Sequence, residues 1–139
     1  MAKEQTSREY ITKKKELGEV KIASDVVAAI AALAATEIDG VYSMAGNITN
    51  ELIGKLGMKN LSKGVKVDVL EGVVTGSLTL NLKYKYSVVD MMVVVNYGYS
   101  IPEVSGQVQE RVSQQIENMT GLSVSEVNVR IAGVKLEEN

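Results

Sequence analysis

Apolar positions recur along this chain with two periods, and the switches between them mark its elements. Gly18-Glu19-Val20-Lys21-Ile22 alternates polar and apolar and predicts a short strand. Ser24 then stands where an N-cap belongs, with Asp25 placing negative charge at the helix start. The helix is expected to run to about Ile38, where Asp39-Gly40 ends it, glycine being free to turn left-handed. Val26, Val27, Ile30, Leu33 and Ile38 are separated mostly by alanines, so this helix is apolar nearly all round. A helix without a wet face needs cover on several sides, by a sheet and by a second helix or another subunit.

Val41-Tyr42-Ser43-Met44 reads as a short strand or an exit loop. A modest helix opening at Asn47 or Thr49 carries Ile48, Leu52, Ile53 and Leu56 on one side. Gly54 and Gly57 weaken it by about 1 kcal/mol each relative to alanine. Lys63-Gly64 turns into a strand at residues 65–69 with a period of two, and Gly72 and Gly76 punctuate a turn region. Leu78, Leu80 and Leu82, continued by Tyr84 and Tyr86, alternate with polar residues and predict a sheet with one wet face. Residues 91–95 are continuously apolar and predict a strand covered on both faces, with Asp90 turning the chain before it. Tyr84-Lys85-Tyr86-Ser87 set beside Tyr97-Gly98-Tyr99-Ser100 reads as a local duplication or a convergent hairpin pair; a solenoid would need more units.

Pro102 suits the first position of a last helix, and Glu103 complements its dipole. Val104, Val108, Val112, Ile116 and Met119 form one narrow stripe amid glutamines and glutamates, so this helix lies on the outside of a sheet. Gly121 ends it, and Val124, Val127, Val129 and Ile131 make a closing strand with Asn128 and Arg130 facing the other way. The expected fold is an α+β two-layer domain: a mixed or mainly antiparallel sheet packed with about three helices, with an extra strand or hairpin at about 74–90. Residues 1–16 are expected to be a mobile charged arm, 17–136 a single domain, and 137–139 a tail.

Composition narrows the chemistry. At 139 residues the chain is one domain's worth, and with no Phe or Trp its core must be aliphatic. A net charge of −2 gives no broad attraction to nucleic acid, and Lys13-Lys14-Lys15 reads as a solvated tail rather than a binding patch. With no Cys and no His, disulfides, thiolates and the commonest general base and metal ligand are all absent. No catalytic, cofactor or metal site is expected. The N-terminus lacks the apolar stretch of a secretory signal, and the longest apolar run, 26–35, is short of the roughly 20 residues that span a bilayer.

Two short patterns invite a nucleic-acid reading. Ile53-Gly54-Lys55-Leu56-Gly57 matches the G-x-x-G loop of KH domains, which would make Gly54, Lys55 and Gly57 RNA contacts. Its flanking segments are barely a turn or two, however, and the acidic balance argues against it. Tyr84 and Tyr86 between Lys83 and Lys85 resemble a base-stacking platform, but cross-strand tyrosine packing explains them better.

Residues 18–23, the apolar helix leading to Glu37-Ile38-Asp39-Gly40-Val41, and residues 97–134 resemble the alkaline shock protein family, small envelope stress response proteins of Gram-positive bacteria. The similarity is strongest at Tyr97-Gly98, Ile101-Pro102-Glu103-Val104, Gln109, Val112, Met119-Thr120-Gly121-Leu122 and Val127-Asn128-Val129. It departs in the middle, where about one extra strand's worth lies around residues 78–87. The resemblance implies a cytoplasmic, non-enzymatic scaffold that associates with itself and is held at the membrane by a separate anchor protein. Its expected contact surfaces are the alanine-rich helix, an exposed sheet edge and the basic arm. The interaction residues expected are Val26, Ala29, Ile30, Leu33, Tyr97, Tyr99 and Pro102. A KH-like RNA-binding module is the rival reading, and a small enzyme comes third.

Overall fold

The computed structural model describes residues 10–15, 17–45, 64–75 and 81–136. In chain order they form β1 (Tyr10–Lys15), β2 (Gly18–Ala23), α1 (Ser24–Thr36), β3 (Val41–Met44) and β4 (Val65–Thr75). These are followed by β5 (Asn81–Asn96), α2 (Ile101–Thr120) and β6 (Val124–Lys135). The helix expected from Asn47, with its Gly54-Lys55-Leu56-Gly57 loop, lies outside the described residues, as do the turn at Gly76 and the tail.

Strand β5 organises the main sheet. Along one edge it pairs antiparallel with β4, from Thr75↔Asn81 to Val65↔Met91, and then with β3, at Met44↔Val93 and Val41↔Val95. Along the other it pairs with β6, parallel, from Ser87↔Val124 to Asn96↔Lys135. A parallel neighbour needs a crossover, and α2 supplies it. The sheet is therefore mixed, and the fold is the α+β class expected.

Burial shows which face the helices cover. The odd-numbered Ser87, Val89, Met91, Val93 and Val95 are buried beneath them, together with Met44, Val65 and Val67. On the opposite face Met92 is exposed and Val88 and Val94 are only half-buried. The cover expected on both faces of residues 91–95 is thus present on one. An unbroken apolar run cannot by itself distinguish the two arrangements.

Helix α2 shows how local signals become packing. The Ser100 hydroxyl accepts a hydrogen bond from the Glu103 N–H at 3.4 Å, and Pro102 sits in the first turn. Gly121 closes the helix at φ 75°, its N–H donating to the Glu117 carbonyl at 2.9 Å. Between these caps Val104, Val108, Val112 and Ile116 are buried, each stabilising the fold by about 1.5–3 kcal/mol. Met119 does not continue the stripe; it is exposed beyond the last covered turn. The stripe packs against α1 and β6.

Several expectations need correction. Ser24 is the first residue of α1 rather than its cap; Ala23 holds the N-cap position and offers no side-chain acceptor. Gly72 lies inside β4, opposite Tyr84, not in a turn. Asp90 lies in mid-strand, opposite Lys66 and Asn128, so residues 81–96 are one strand and not two joined by a turn. Residues 65–75 and 81–91 pair as one long antiparallel ribbon, in keeping with the extra strand or hairpin expected at about 74–90. Finally, the arm placed over residues 1–16 overlaps β1, which pairs with β2 from Tyr10↔Ala23 to Lys15↔Gly18. The alternating β2 offers an edge for pairing, and Gly18 at φ 142° accommodates the tight connection.

Candidate interaction surfaces

The first surface is built on α1. Val27, Ala28, Ala31, Ala32, Ala34 and Ala35 face the core, their small side chains allowing close approach of the covering elements. Val26, Ala29 and Ile30 remain half-buried, and Leu33 is 42% exposed. These four residues have i, i+3, i+4, i+7 spacing, so they form one continuous stripe along the helix. Four of the residues expected from sequence to make contacts therefore share one stripe of α1, in which Ala29 and Ile30 still pack against the core and Leu33 is the exposed member. An ion pair lies at its C-terminal end, where Arg111 of α2 donates to Glu37 at 2.8 Å.

A second surface occupies the end of the sheet between β5 and α2. The Asn96 N–H donates to the Gly40 carbonyl at 2.8 Å, and the Tyr97 N–H to the Lys135 carbonyl at 3.0 Å. These bonds tie the 96–100 turn to both the α1 exit and the end of β6, and Gly98, at φ 100°, lets it reverse. Tyr97 and Tyr99 are held outward at 69% and 49% exposure, and Pro102 is exposed beside them. The Tyr99 ring lies directly over Gly40, whose missing Cβ leaves room for it. Ile101, Val134 and Leu136 are also exposed here, and the Lys135 ammonium stands 5.2 Å from the Tyr42 ring centroid. Ile101, Val134 and Leu136 were not singled out from the sequence because each is an ordinary member of its own element; the β5–β6 pairing, extended by the Tyr97–Lys135 bond, brings the two chain segments together.

The third feature lies between α2 and β6. Gly106, Gln109, Glu110 and Ser113 of α2, with residues 124–128 of β6, line an open groove of about 610 Å³. The Gln109 side-chain amide donates to the Val127 carbonyl at 3.0 Å. On the wet face of the sheet a smaller hollow of about 250 Å³ is lined by Lys66, Asp90, Met92 and Arg130. There Asp90 accepts a hydrogen bond from Asn128 at 2.9 Å, in keeping with a structural role.

Among the described residues no group of three or more acidic side chains is placed to hold a metal ion. None of their helices is long and apolar enough to cross a membrane. The glycine loop proposed for RNA lies outside them, so Gly54, Lys55 and Gly57 enter none of these surfaces.

The described features define a small α+β domain of two layers. The chain belongs to the alkaline shock protein 23 family, described as having a cell envelope-related function; the family model matches residues 12–92 and 87–136. This bears out the resemblance drawn from the sequence. Over 121 residues the chain is 39% identical to the uncharacterized protein YqhY of Bacillus subtilis, covering 87% of this chain and 80% of that one. It is 31% identical to the uncharacterized protein YloU of the same organism, over 86% of this chain and 90% of the relative. It is also 26% identical to a Streptococcus pyogenes protein named stress response regulator gls24 homolog, over 87% of this chain and 61% of that protein. Family and relatives together support a role related to envelope stress.

Proposed function

We propose that this protein is a non-enzymatic scaffold of cell-envelope homeostasis under stress, cytoplasmic, self-associating and held at the membrane by an anchor protein. The observation that carries the proposal is the partly uncovered apolar stripe Val26, Ala29, Ile30 and Leu33 on a helix that is otherwise buried. Ala29 and Ile30 reach the core, while Leu33 and the uncovered part of the stripe leave apolar surface whose burial by a neighbour would be favourable. The tyrosine-bearing end supplies a second face, rich in the residue types that favour interfaces. Two separate faces allow one to serve self-association and the other an anchor.

Sedimentation across a concentration range tests the first half. The native chain is expected to associate, and Leu33→Lys to weaken association while leaving the melting temperature nearly unchanged. A native chain that stays monomeric at high concentration would refute the self-association. Fractionation of the producing cells tests the second half. The chain should sediment with membranes and be released by Tyr97→Ser with Tyr99→Ser; recovery of the native chain entirely in the soluble fraction would refute anchoring.

A further inference from the structure

Two pieces of sheet in this molecule lack neighbours among the described residues. The β1–β2 hairpin forms a two-stranded sheet of its own, with Leu17 fully exposed at its turn and Val20 about half-exposed. Ile22 of β2 packs against the core, but the hairpin does not join the main sheet. Two strands alone are marginally stable in water, and addition to a larger sheet would stabilise them. The second piece is the outer side of β6, which pairs with β5 on one side and with no described strand on the other. The groove beside α2 runs along the first five residues of this edge.

Charge matches these two pieces to each other. The groove's ionisable lining residues are Glu110 and Glu126, without a lysine or arginine among them. Glu117 stands close by, accepting a hydrogen bond from the Val124 N–H at 3.2 Å. In sequence, residues 10–23 hold Lys13, Lys14, Lys15 and Lys21 against Glu16 and Glu19. The helix side of the groove is open at Gly106, where a Cβ would meet nothing within 4 Å.

We propose that the β1–β2 hairpin of one copy adds its β1 edge, which no described strand covers, to β6 of a second copy, in the groove beside α2. This brings the lysine-rich strand beside the acidic groove. The inference rests on the self-association reading above and adds to it a second contact, distinct from the α1 stripe. Gln109, whose amide now bonds the Val127 carbonyl, swings aside as the incoming strand pairs with β6. Donor and acceptor surfaces are different patches of the same chain, so the contact is heterologous. Repeated from copy to copy, it builds an open chain or closes into a ring.

The test is sedimentation velocity on the full chain and three charge variants. One carries Lys13→Glu, Lys14→Glu and Lys15→Glu; the second carries Glu110→Lys and Glu126→Lys; the third combines all five. Each single-sided reversal should weaken assembly roughly tenfold or more, and the combined variant should recover most of it. About 0.5 M salt should weaken the native assembly, since screening then acts over only a few Å. Unchanged circular dichroism and melting temperature will show that the variants fold.

Because the chain has no cysteine, a cross-link gives an independent readout. Thr12→Cys on one preparation and Ser125→Cys on another should form a mixed disulfide dimer more readily than either preparation does alone. If the native chain assembles but the reversals assemble equally tightly and no preferential mixed cross-link forms, the hairpin interface is wrong. Self-association then stands through another surface. If the native chain is monomeric throughout, both proposals fall.

Discussion

Replacing Gly40 by alanine would strike the core and the exposed tyrosine end at once. Gly40 has φ 99°, and a Cβ built there comes within 2.7 Å of Tyr99 Cδ2, 2.8 Å of Val104 Cγ2 and 3.0 Å of Tyr99 Cγ. The backbone cannot rotate away cheaply, because the Gly40 carbonyl accepts the Asn96 N–H at 2.8 Å. The left-handed conformation costs a non-glycine residue about 1–2 kcal/mol. Overpacking costs typically about 1–3 kcal/mol more. Reduced entropy of the unfolded chain returns about 0.4–1 kcal/mol. The net expectation for Gly40→Ala is a loss of about 2–4 kcal/mol, a large share of the roughly 5–15 kcal/mol that stabilises a typical domain.

The two clashes separate experimentally. Tyr99 is half-exposed and its ring can move into water, whereas Val104 is buried and held in the α2 stripe. Tyr99→Ala in the Gly40→Ala background should therefore recover only part of the loss. Urea unfolding measures both quantities. The midpoint should fall by on the order of 1–2 M at an unchanged slope of about 1–3 kcal/mol/M. A Gly40→Ala protein within about 0.5 kcal/mol of the native one would refute the reasoning, a difference no larger than that of an ordinary surface substitution. Full recovery on removing the tyrosine would refute the parts assigned to φ and to Val104.

Ile116→Ala deletes a fully buried side chain at the end of the α2 stripe and should cost about 2–5 kcal/mol, read from thermal or urea unfolding. Arg111→Ala removes an ion pair whose partners are both well exposed; it should cost less than about 1 kcal/mol, with little difference remaining at high salt. Leu33→Lys, by contrast, should change stability by no more than about 0.5 kcal/mol while reducing association, which calorimetry and sedimentation together would show.

Where structure follows from neighbours a few residues away, the chain could be read directly. Ser100, Pro102, the four-residue spacing of Val104 to Ile116, and Gly121 define α2 within about one residue of its observed ends. The alternations at residues 18–22, 65–69 and 124–131 located strands in the same way, and the α+β class followed from their order. The residues of the α1 stripe and of the tyrosine turn could be singled out because each group is contiguous or periodic along one element.

Pairing and cover were different, since they depend on partners far away in the chain. Asp90 reads as a turn residue locally, yet β4 on one side and β6 on the other hold it in mid-strand. The parallel placement of β6, the one-sided cover of residues 91–95 and the meeting of Tyr97 with the end of β6 at Lys135 are likewise long-range facts. On α1, Leu33 and Ala34 are both apolar and adjacent in sequence, yet one is 42% exposed and the other buried. Periodicity shows which side chains share a face. Only the tertiary neighbours decide which face is sealed, because burial is set by contacts across the whole chain.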